Sequence, residues 1–378
     1  TTLAEKGAVF TQTFGWERPQ WFSLDGREEE CSYRRNNVFE VVRAECEAVR
    51  HRVGVIDMTG FAKYTVRGAG AEAFLNRLLA NRMPKRDGGM ALAHFLSRQG
   101  RILGEATVTR IAGDHFYLLS AASAEMRDLD HLLQQQEEGE AVEITNATEQ
   151  RGVMVVAGPR SRELLATLTD APLDNEHFPW RSAQEITIAG VKTLALRINY
   201  VGELGWELHP QMADLEALYA AVWAAGQAHG IANFGLYALN SLRMEKAYRG
   251  WGAELTNEVT MLEADMARFF NDKKDDFIGK AATETADIGP LRLVYFSVDA
   301  LNADVRGGEP IFFGGDCVGV TTSGGYGHAV QQSLGFGYVP PAHAVAGSVI
   351  EVGLLDARCP ATVLTDPAYD PANQRLMS

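Results

Sequence analysis

Hydrophobic and polar positions follow two different periods along the first part of the chain. Residues 38–52 carry apolar side chains at helical spacing, which predicts an amphipathic helix. Residues 92–96 and 102–111 have the composition of strands, and Gln99–Gly100 between them predicts a turn that pairs the two. Residues 123–136 predict a further helix with an acidic, exposed end.

The same order of elements starts again later in the chain. Strands are predicted at 152–157 and 185–189 on either side of a helix at 159–168. Residues 213–229 and 235–248 predict two longer helices with apolar faces. The repeated strand–helix–strand order predicts two similar α+β subdomains.

From about residue 289 onward, short apolar runs are separated by Gly and Pro, which is typical of an all-β barrel or sandwich. The predicted strands are 291–298, 309–313, 317–322, 333–339 and 349–352. The last dozen residues are predicted to be a tail. The fold class is therefore α+β, with two α+β subdomains in residues 1–285 and a β domain in residues 286–378.

Composition narrows the function classes. The 378 residues are 46% hydrophobic and 22% charged, which is ordinary for a soluble globular protein, and the sequence has no apolar run long enough to cross a bilayer. The formal net charge of −14 argues against a nucleic-acid or anionic-membrane partner. Four scattered cysteines and the absence of a secretory signal pattern favour a reducing cytoplasm.

The segment Asn199–Leu208 is the strongest candidate for a binding site. A strand-forming run enters it, glycines bend it, and it presents Tyr200, Glu203 and Glu207. An aromatic ring and a carboxylate together suit a flat heteroaromatic ligand, because the ring stacks and the carboxylate accepts paired N–H donors. The alternative is a surface hairpin with solvated acids.

Two further groups carry candidate chemistry. Glu105 lies between Leu103 and Thr107 on one face of a strand, where partial desolvation would suit proton transfer or the orientation of an amine. The alternative for Glu105 is an edge-strand carboxylate facing water. Arg243, in a charged cluster at the end of the 235–248 helix, could bind an anionic tail or belong to a solvated helix face.

Other catalytic motifs are absent from the sequence. Residues 68–73 (GAGAEA) resemble a dinucleotide fingerprint, but the acidic residue required about 20 residues further on is missing from a strand end, so a plain strand-to-helix turn is predicted. No hydrolase or P-loop motif occurs, and the nine histidines show no metal-ligand spacing. No metal site and no flavin or nicotinamide site are expected.

Several long motifs resemble one family. Residues 199–208, 234–255 (FGLYALNSLRMEKAYRGWGAEL) and 276–282 (DFIGKAA) are similar to the folate-binding half of dimethylglycine and sarcosine dehydrogenases. More broadly, they resemble the aminomethyltransferase family, the T-protein of the glycine cleavage system. Residues 53–68 and 318–339 extend the likeness over nearly the whole chain.

The resemblance implies a three-lobed ring of two α+β subdomains and a C-terminal barrel around tetrahydrofolate. By position, it implies that Tyr200 packs against the pterin, that Glu207 rather than Glu203 pairs with its amino-pyrimidinone edge, and that Glu105 inherits the catalytic acid's place. The aminomethyltransferases carry an Asp-Asp pair where Gly104-Glu105 stand here. Leu239 replaces the family arginine near the folate, so the folate tail must be anchored elsewhere.

The implied function is tetrahydrofolate-dependent one-carbon transfer from a methylated small molecule: an amine, a sulfonium or a methoxy compound. The dehydrogenase-like motifs favour an N-methyl donor. Two routes are open: redox-neutral demethylation, or capture of a carbon released by a separate flavin oxidase or lyase subunit. The alternative is a non-catalytic, folate-binding assembly or regulatory protein of the same fold.

Overall fold

A computed structural model describes residues 2–286 and 289–378. The α-helices of this part of the chain are α1 (Phe39–His51), α2 (Ala71–Leu78), α3 (Glu125–Gln134), α4 (Ser161–Ala166), α5 (Leu215–Gly226), α6 (Leu236–Glu245), α7 (Lys280–Thr285) and α8 (Gln374–Met377). None of the helices described there is long and apolar enough to span a membrane.

The strands alternate with these helices in the first part of the chain and follow one another in the last. They are β1 (Ala8–Thr13), β2 (Trp16–Phe22), β3 (Val53–Asp57), β4 (Ala62–Arg67), β5 (Met90–Leu96), β6 (Ile102–Ala112), β7 (His115–Ser120), β8 (Glu143–Asn146), β9 (Met154–Ala157), β10 (Ala183–Ile188), β11 (Val191–Leu196), β12 (Gly205–Pro210), β13 (Ile231–Asn233), β14 (Arg292–Val298), β15 (Pro310–Phe313), β16 (Asp316–Gly327), β17 (Gln332–Val339), β18 (Val349–Leu354) and β19 (Ala357–Leu364).

These strands form two sheets, a closed barrel and a small hairpin. The first sheet has the order β5-β6-β7-β4-β8, and the second has the order β10-β11-β12-β9-β3-β13. Strands β14-β17-β16-β15-β18-β19 close into the C-terminal barrel, and β1 pairs with β2. The predicted α+β class with a C-terminal barrel is confirmed. Strand β19, which the sequence pattern did not predict, completes the closure.

Alternation along the strands divides each sheet into two faces, because successive side chains point to opposite sides. In β6, Ile102, Gly104, Ala106 and Val108 are buried, while Leu103, Glu105 and Thr107 are half-buried. Ala106 and Val108 of the buried set pack against α2 and α3 in the core of the first subdomain, while Ile102 packs in a cluster shared with the barrel. Glu105 and Thr107 face the second sheet. Leu103 packs into the first subdomain's core instead, so its predicted place on the face of Glu105 is wrong, because a bulge between β5 and β6 interrupts the alternation at Leu103.

The two sheets meet through a shared apolar cluster, which we call the inter-sheet core. It is formed by Met90, Tyr117, Leu119, Ala183, Leu194 and Leu196. The first three come from the first sheet and the last three from the second, so burial of this cluster holds the two subdomains face to face. Tyr117 also donates or accepts a hydrogen bond with Nδ1 of His209 on β12, at 3.1 Å.

The predicted tail is packed rather than free. Helix α8 follows a segment in which Tyr369 and Asp370 contact the second subdomain. The Tyr369 hydroxyl donates to Oε1 of Glu203 at 2.7 Å, and Lys246 Nζ donates to the Asp370 carbonyl at 2.6 Å. The polar residues that made this stretch resemble a solvated tail are the ones that anchor it.

Candidate functional site

The segment between β11 and β12 bends because of two residues. Asn199 accepts hydrogen bonds at Oδ1 from the backbone N–H groups of Val201 and Gly202 and donates through Nδ2 to the Glu203 carbonyl at 2.8 Å. Gly202 has φ +78°, and a Cβ there would lie 2.4 Å from the Lys246 side chain. Both the backbone conformation and the close approach therefore require glycine. The predicted bent segment is confirmed.

Tyr200 is half-buried at the start of this bend. Its hydroxyl donates to the Arg249 carbonyl at 2.6 Å, and its ring stacks on Tyr248 with centroids 5.5 Å apart and an interplanar angle of 27°. Burial raises the pKa of Tyr200, and the charges of Glu254 and Glu105 raise it further. The neutral phenol is thus held as a ring platform within electrostatic reach of Glu105.

Glu203 does not share the surroundings of Tyr200. Its carboxylate is 1% exposed and accepts hydrogen bonds from Arg50 Nη1 at 3.1 Å and from Arg375 Nε at 2.9 Å. With the Tyr369 hydroxyl, these donors occupy both of its oxygens. The geometry therefore does not support Glu203 as a ligand-binding residue, because a pterin would have to displace a buried ion pair.

Glu207 has the opposite environment. It is 8% exposed on β12, and its carboxylate has no hydrogen-bond partner among the described residues. The nearest basic side-chain nitrogen among the described residues is Nε2 of His209, 3.6 Å from Oε2, which is too far for a hydrogen bond, and burial lowers the pKa of His209 so that its ring is neutral. Burial raises the pKa of Glu207 to about 8. An acid desolvated without a partner is poised to accept donors from a ligand.

Strand register places Glu207 on the inter-sheet side of its sheet. It lies directly opposite Leu196 of β11, and Leu196 belongs to the inter-sheet core. Directly opposite residues in an antiparallel pair share a face. Trp206 and Leu208, on either side of Glu207, point into the separate core of the second subdomain.

Glu105 faces the same region from the first sheet. Its neighbours two and four positions along β6, Thr107 and Thr109, lie opposite Leu119 and Tyr117 of the inter-sheet core. The side chain is 23% exposed, and Oε2 lies 3.0 Å from Nε2 of His94 on β5. The alternative of an edge-strand carboxylate is wrong, because β6 pairs on both sides, with β5 and β7.

Arg243 is not on a solvated helix face, and it has no free donor for an anionic tail. It is 7% exposed, and its guanidinium donates through Nη1 to Glu254 Oε2 at 3.2 Å. Its other hydrogen bonds go to Asn240 Oδ1 (from Nε and Nη2), the Tyr248 carbonyl and Ser323 Oγ. A guanidinium has five N–H donors, and these contacts use all of them. Arg243 joins α6 to barrel strand β16.

The rest of the charged cluster around Arg243 is buried or half-buried, and Glu245 and Arg249, four positions apart in the sequence, do not pair with each other. Glu245 is 0% exposed and accepts from Arg50 Nη2 at 2.6 Å, while Arg249 Nη2 donates to Asp265 at 2.6 Å. Helix α6 ends at Glu245, before these side chains could align, and Ala247 takes a left-handed φ of 51°.

Three residues of the inter-sheet region were not singled out from the sequence: His94, Tyr117 and His209. A turn at Gln99–Gly100 implies a register that sets His94 opposite Glu105, and the structure has that pairing. That register was the available signal for His94. No comparable signal exists for the contact between Tyr117 and His209, because it joins separate sheets.

One exposed group of potential metal ligands lies away from this region. Asp174, Glu176 and His177 bring their ligand atoms within 4.8 Å of one another. Asp174 accepts from the backbone N–H groups of Glu176 and His177 and from the His177 ring, and these hydrogen bonds, led by that of the ring, lower its pKa to about 2. This arrangement is typical of an aspartate that stabilises a turn.

Comparison with known proteins agrees with the architecture. The family model of the GCVT N-terminal domain matches residues 1–274, and that of the glycine cleavage T-protein C-terminal barrel domain matches residues 292–370. The fold is similar to the glycine cleavage system aminomethyltransferase T from Bartonella henselae, with a TM-score of 0.85 over 98% of this chain and 96% of that one, at 23% identity.

Some of the curated relatives are much longer than this chain, and others have a similar length. The chain is 39% identical, over 96% of its length, to the mitochondrial dimethylglycine dehydrogenase of Mus musculus, and it spans only 42% of that protein. It is 29% identical, over 84% of its length, to the aminomethyltransferase of Chloroherpeton thalassium and spans 87% of it. With both family models matched in order along the sequence, the chain belongs to the glycine cleavage T-protein family.

Proposed function

We propose that this protein is a tetrahydrofolate-dependent one-carbon transferase that takes a methyl or methylene group from a methylated small molecule, with an N-methyl amine as the favoured donor class. The observation that carries the proposal is Glu207, a buried carboxylate without a hydrogen-bond partner among the described residues, on the inter-sheet side of the second sheet, while Glu105 lies on the inter-sheet side of the first. Membership of the T-protein family supports the same conclusion.

The residues present fit a reduced pterin. Its amino-pyrimidinone edge offers adjacent N–H donors, and the unpaired carboxylate of Glu207 can accept both as a charge-assisted pair. Tyr200 is a half-buried aromatic ring at the start of the same segment, where it can pack against the pterin. Glu203 and Arg243 have no part in this proposal, because their polar atoms are committed to buried contacts.

Tetrahydrofolate supplies a nucleophilic ring nitrogen that accepts the carbon. Glu105 would orient the donor amine and stabilise positive charge that develops on it, since its carboxylate is partly desolvated and anchored on one oxygen. Alignment of the two reactants between facing sheets would supply most of the rate enhancement. Glutamate reaches one methylene further than the aspartate of the aminomethyltransferases, so the donor would lie correspondingly further from β6.

The source of the carbon leaves two routes within this proposal. Either the chain demethylates the donor directly, or it captures a carbon that a separate flavin oxidase or lyase subunit releases. The resemblance to dimethylglycine dehydrogenase, of which the chain spans 42%, supports an N-methyl amino acid as the starting compound in both routes.

A donor screen tests the proposal. The purified chain is incubated with tetrahydrofolate and N,N-dimethylglycine, sarcosine, a sulfonium compound or a methoxyaromatic acid, each with and without an N-methyl amino acid oxidase. Mass spectrometry then detects 5-methyl- or 5,10-methylenetetrahydrofolate. We expect product with an N-methyl amine. Tight folate binding without turnover on any donor would instead favour the non-catalytic folate-binding protein.

A further inference from the structure

His94 is the contact that fixes the orientation of Glu105. The two residues lie directly opposite each other on β5 and β6, and His94 Nε2 is 3.0 Å from Glu105 Oε2. His94 is 0% exposed, whereas the Glu105 side chain is 23% exposed. The histidine is therefore a fixed, fully buried anchor, and the carboxylate is the half of the pair that can reach a ligand.

The surroundings of His94 determine which nitrogen carries the proton. Nδ1 is buried and has no hydrogen-bond partner among the described residues. A proton on Nδ1 would leave a buried N–H unsatisfied and would turn the Nε2 lone pair toward a carboxylate oxygen. The arrangement with the lower free energy has the proton on Nε2, which donates to Glu105, and the lone pair on Nδ1.

Two features hold the imidazole in this position. Its backbone belongs to the paired part of β5, and its ring packs against Phe269, with centroids 5.8 Å apart at an interplanar angle of 51°. Phe269 comes from the short helical turn Ala267–Phe269, which approaches β5 from outside the first subdomain. The ring is thus clamped between its strand and that turn.

We propose that His94 is a positioning residue for the one-carbon transfer: its Nε2–H holds Oε2 of Glu105 and leaves Oε1 as the oxygen presented to the donor amine. This inference rests on the proposed function of Glu105. A glutamate side chain has one more rotatable bond than an aspartate, so a longer acid loses more conformational freedom when it is held in one geometry. The buried Nε2–H of His94 fixes one carboxylate oxygen in advance, so this loss of conformational freedom has already occurred when the donor amine binds.

Variants of His94 separate positioning from a structural role. His94→Gln keeps an N–H donor close to the place of Nε2, whereas His94→Phe keeps a planar ring and removes the donor. We expect His94→Phe to lower kcat with N,N-dimethylglycine by about 10- to 100-fold, the effect of losing a hydrogen bond to a charged group. KM for tetrahydrofolate should stay within about twofold, and His94→Gln should recover most of kcat.

A double-mutant cycle supplies the second test. If His94 acts through Glu105, adding His94→Phe to Glu105→Gln should lower kcat no further than Glu105→Gln alone. Independent, multiplicative losses would overturn the inference, as would a wild-type kcat in His94→Phe. Thermal melting of each variant shows whether it has merely lost stability. If His94→Phe has, the kcat of His94→Gln is the test: recovery of most of the wild-type kcat supports the inference, and no recovery in a stable His94→Gln overturns it.

A spectroscopic measurement does not depend on turnover. In 15N-labelled, ligand-free protein, the imidazole signals absent from the His94→Phe spectrum belong to His94. We expect them to show a proton on Nε2 and to shift in Glu105→Gln. An Nε2 without a proton overturns the inference whatever the kinetics show. Wild-type turnover in Glu105→Gln, with the expected spectrum intact, would instead count against the proposed function.

Discussion

Glu203 and Glu207 belong to the same short segment, yet their carboxylates have opposite surroundings. Glu203 accepts hydrogen bonds from Arg50, Arg375 and Tyr369, while Glu207 has no hydrogen-bond partner among the described residues. Both side chains are buried, so exposure does not distinguish them. The hydrogen-bond donors around each carboxylate distinguish them: Glu203 is paired within the protein, whereas Glu207 is available to a ligand.

Replacement of Glu207 should weaken folate binding without harming the fold. Glu207→Ala is expected to cost about 2 kcal/mol or more of binding free energy, because a buried, charged hydrogen-bond pair with the pterin is lost. Isothermal titration calorimetry with tetrahydrofolate measures the change. Glu185→Ala, an exposed glutamate on β10 of the same sheet, is the matched control. Equal affinities of wild type and Glu207→Ala would remove Glu207 from the binding site.

Replacement of Glu203 should lower the stability of the protein and leave its folate affinity unchanged. Glu203→Gln leaves Arg50 and Arg375 with a neutral partner in a site that is 1% exposed at Glu203, and we expect a loss of about 3–5 kcal/mol in the free energy of unfolding. Urea unfolding measures this loss. Folate affinity of the folded variant should stay near wild type, and selective loss of folate affinity at unchanged stability would contradict the assignment.

The free energy of unfolding should depend on pH because of Glu207. Its folded pKa of about 8 exceeds the ordinary value of 4.5, so the folded state binds more protons than the unfolded state between these two values. The contribution of Glu207 to the free energy of unfolding is therefore full below about pH 4.5 and is lost as pH rises through about 8. Urea unfolding of wild type and Glu207→Gln across this range tests it: Glu45, whose pKa burial raises to about 7, lowers the stability of both proteins as pH rises, so the contribution of Glu207 is the additional loss seen in wild type.

Folate binding should release a proton near neutral pH. Donors from the pterin favour the ionised carboxylate, so Glu207, mostly protonated below its pKa of about 8, should lose its proton on binding. Calorimetry in buffers of different ionisation enthalpy counts the protons released. Glu207→Gln is the control and should release none from this site. A buffer-independent enthalpy for wild type at pH 7 would show that Glu207 does not ionise on binding.

Arg243 should prove to be a stability residue. Arg243→Lys retains the charge but loses the planar set of five donors that joins Asn240, Tyr248, Glu254 and Ser323, so we expect about 2–4 kcal/mol lower stability. Urea unfolding measures it. The affinity ratio for mono- and polyglutamylated tetrahydrofolate should not change, whereas a selective loss for the polyglutamate would show that Arg243 binds the anionic tail.

Local patterns were sufficient for most elements of the fold and for part of the site. The helical spacing in residues 38–52 corresponds to α1, and the Gln99–Gly100 turn corresponds to the β5–β6 pairing. These predictions rest on contacts between residues close in sequence, where period and turn composition are informative. Glu105 facing away from the first subdomain's core also follows from strand alternation alone.

Polar residues far apart in sequence could not be predicted in the same way. Arg243 and Glu245 have the composition of a solvated helix face, and the tail residues Tyr369 and Arg375 have that of a free terminus. Each is buried or anchored because a charged partner arrives from another part of the chain: Glu254 for Arg243, Arg50 for Glu245, and Glu203 for Arg375 and the Tyr369 hydroxyl. A charged side chain is buried only when paired, and one sequence does not reveal distant pairs.

The sequence by itself determined most of the strands and helices, the glycine-dependent bend before Glu207 and the membership of the T-protein family, because these depend on local spacing and on motifs. Only the tertiary structure decided that Glu207 is the unpaired acid and Glu203 the paired one. It also placed Glu105 in a central strand against a buried His94. The physical reason is that the availability of a carboxylate depends on which donors the folded chain brings to it, and most of those donors come from distant segments.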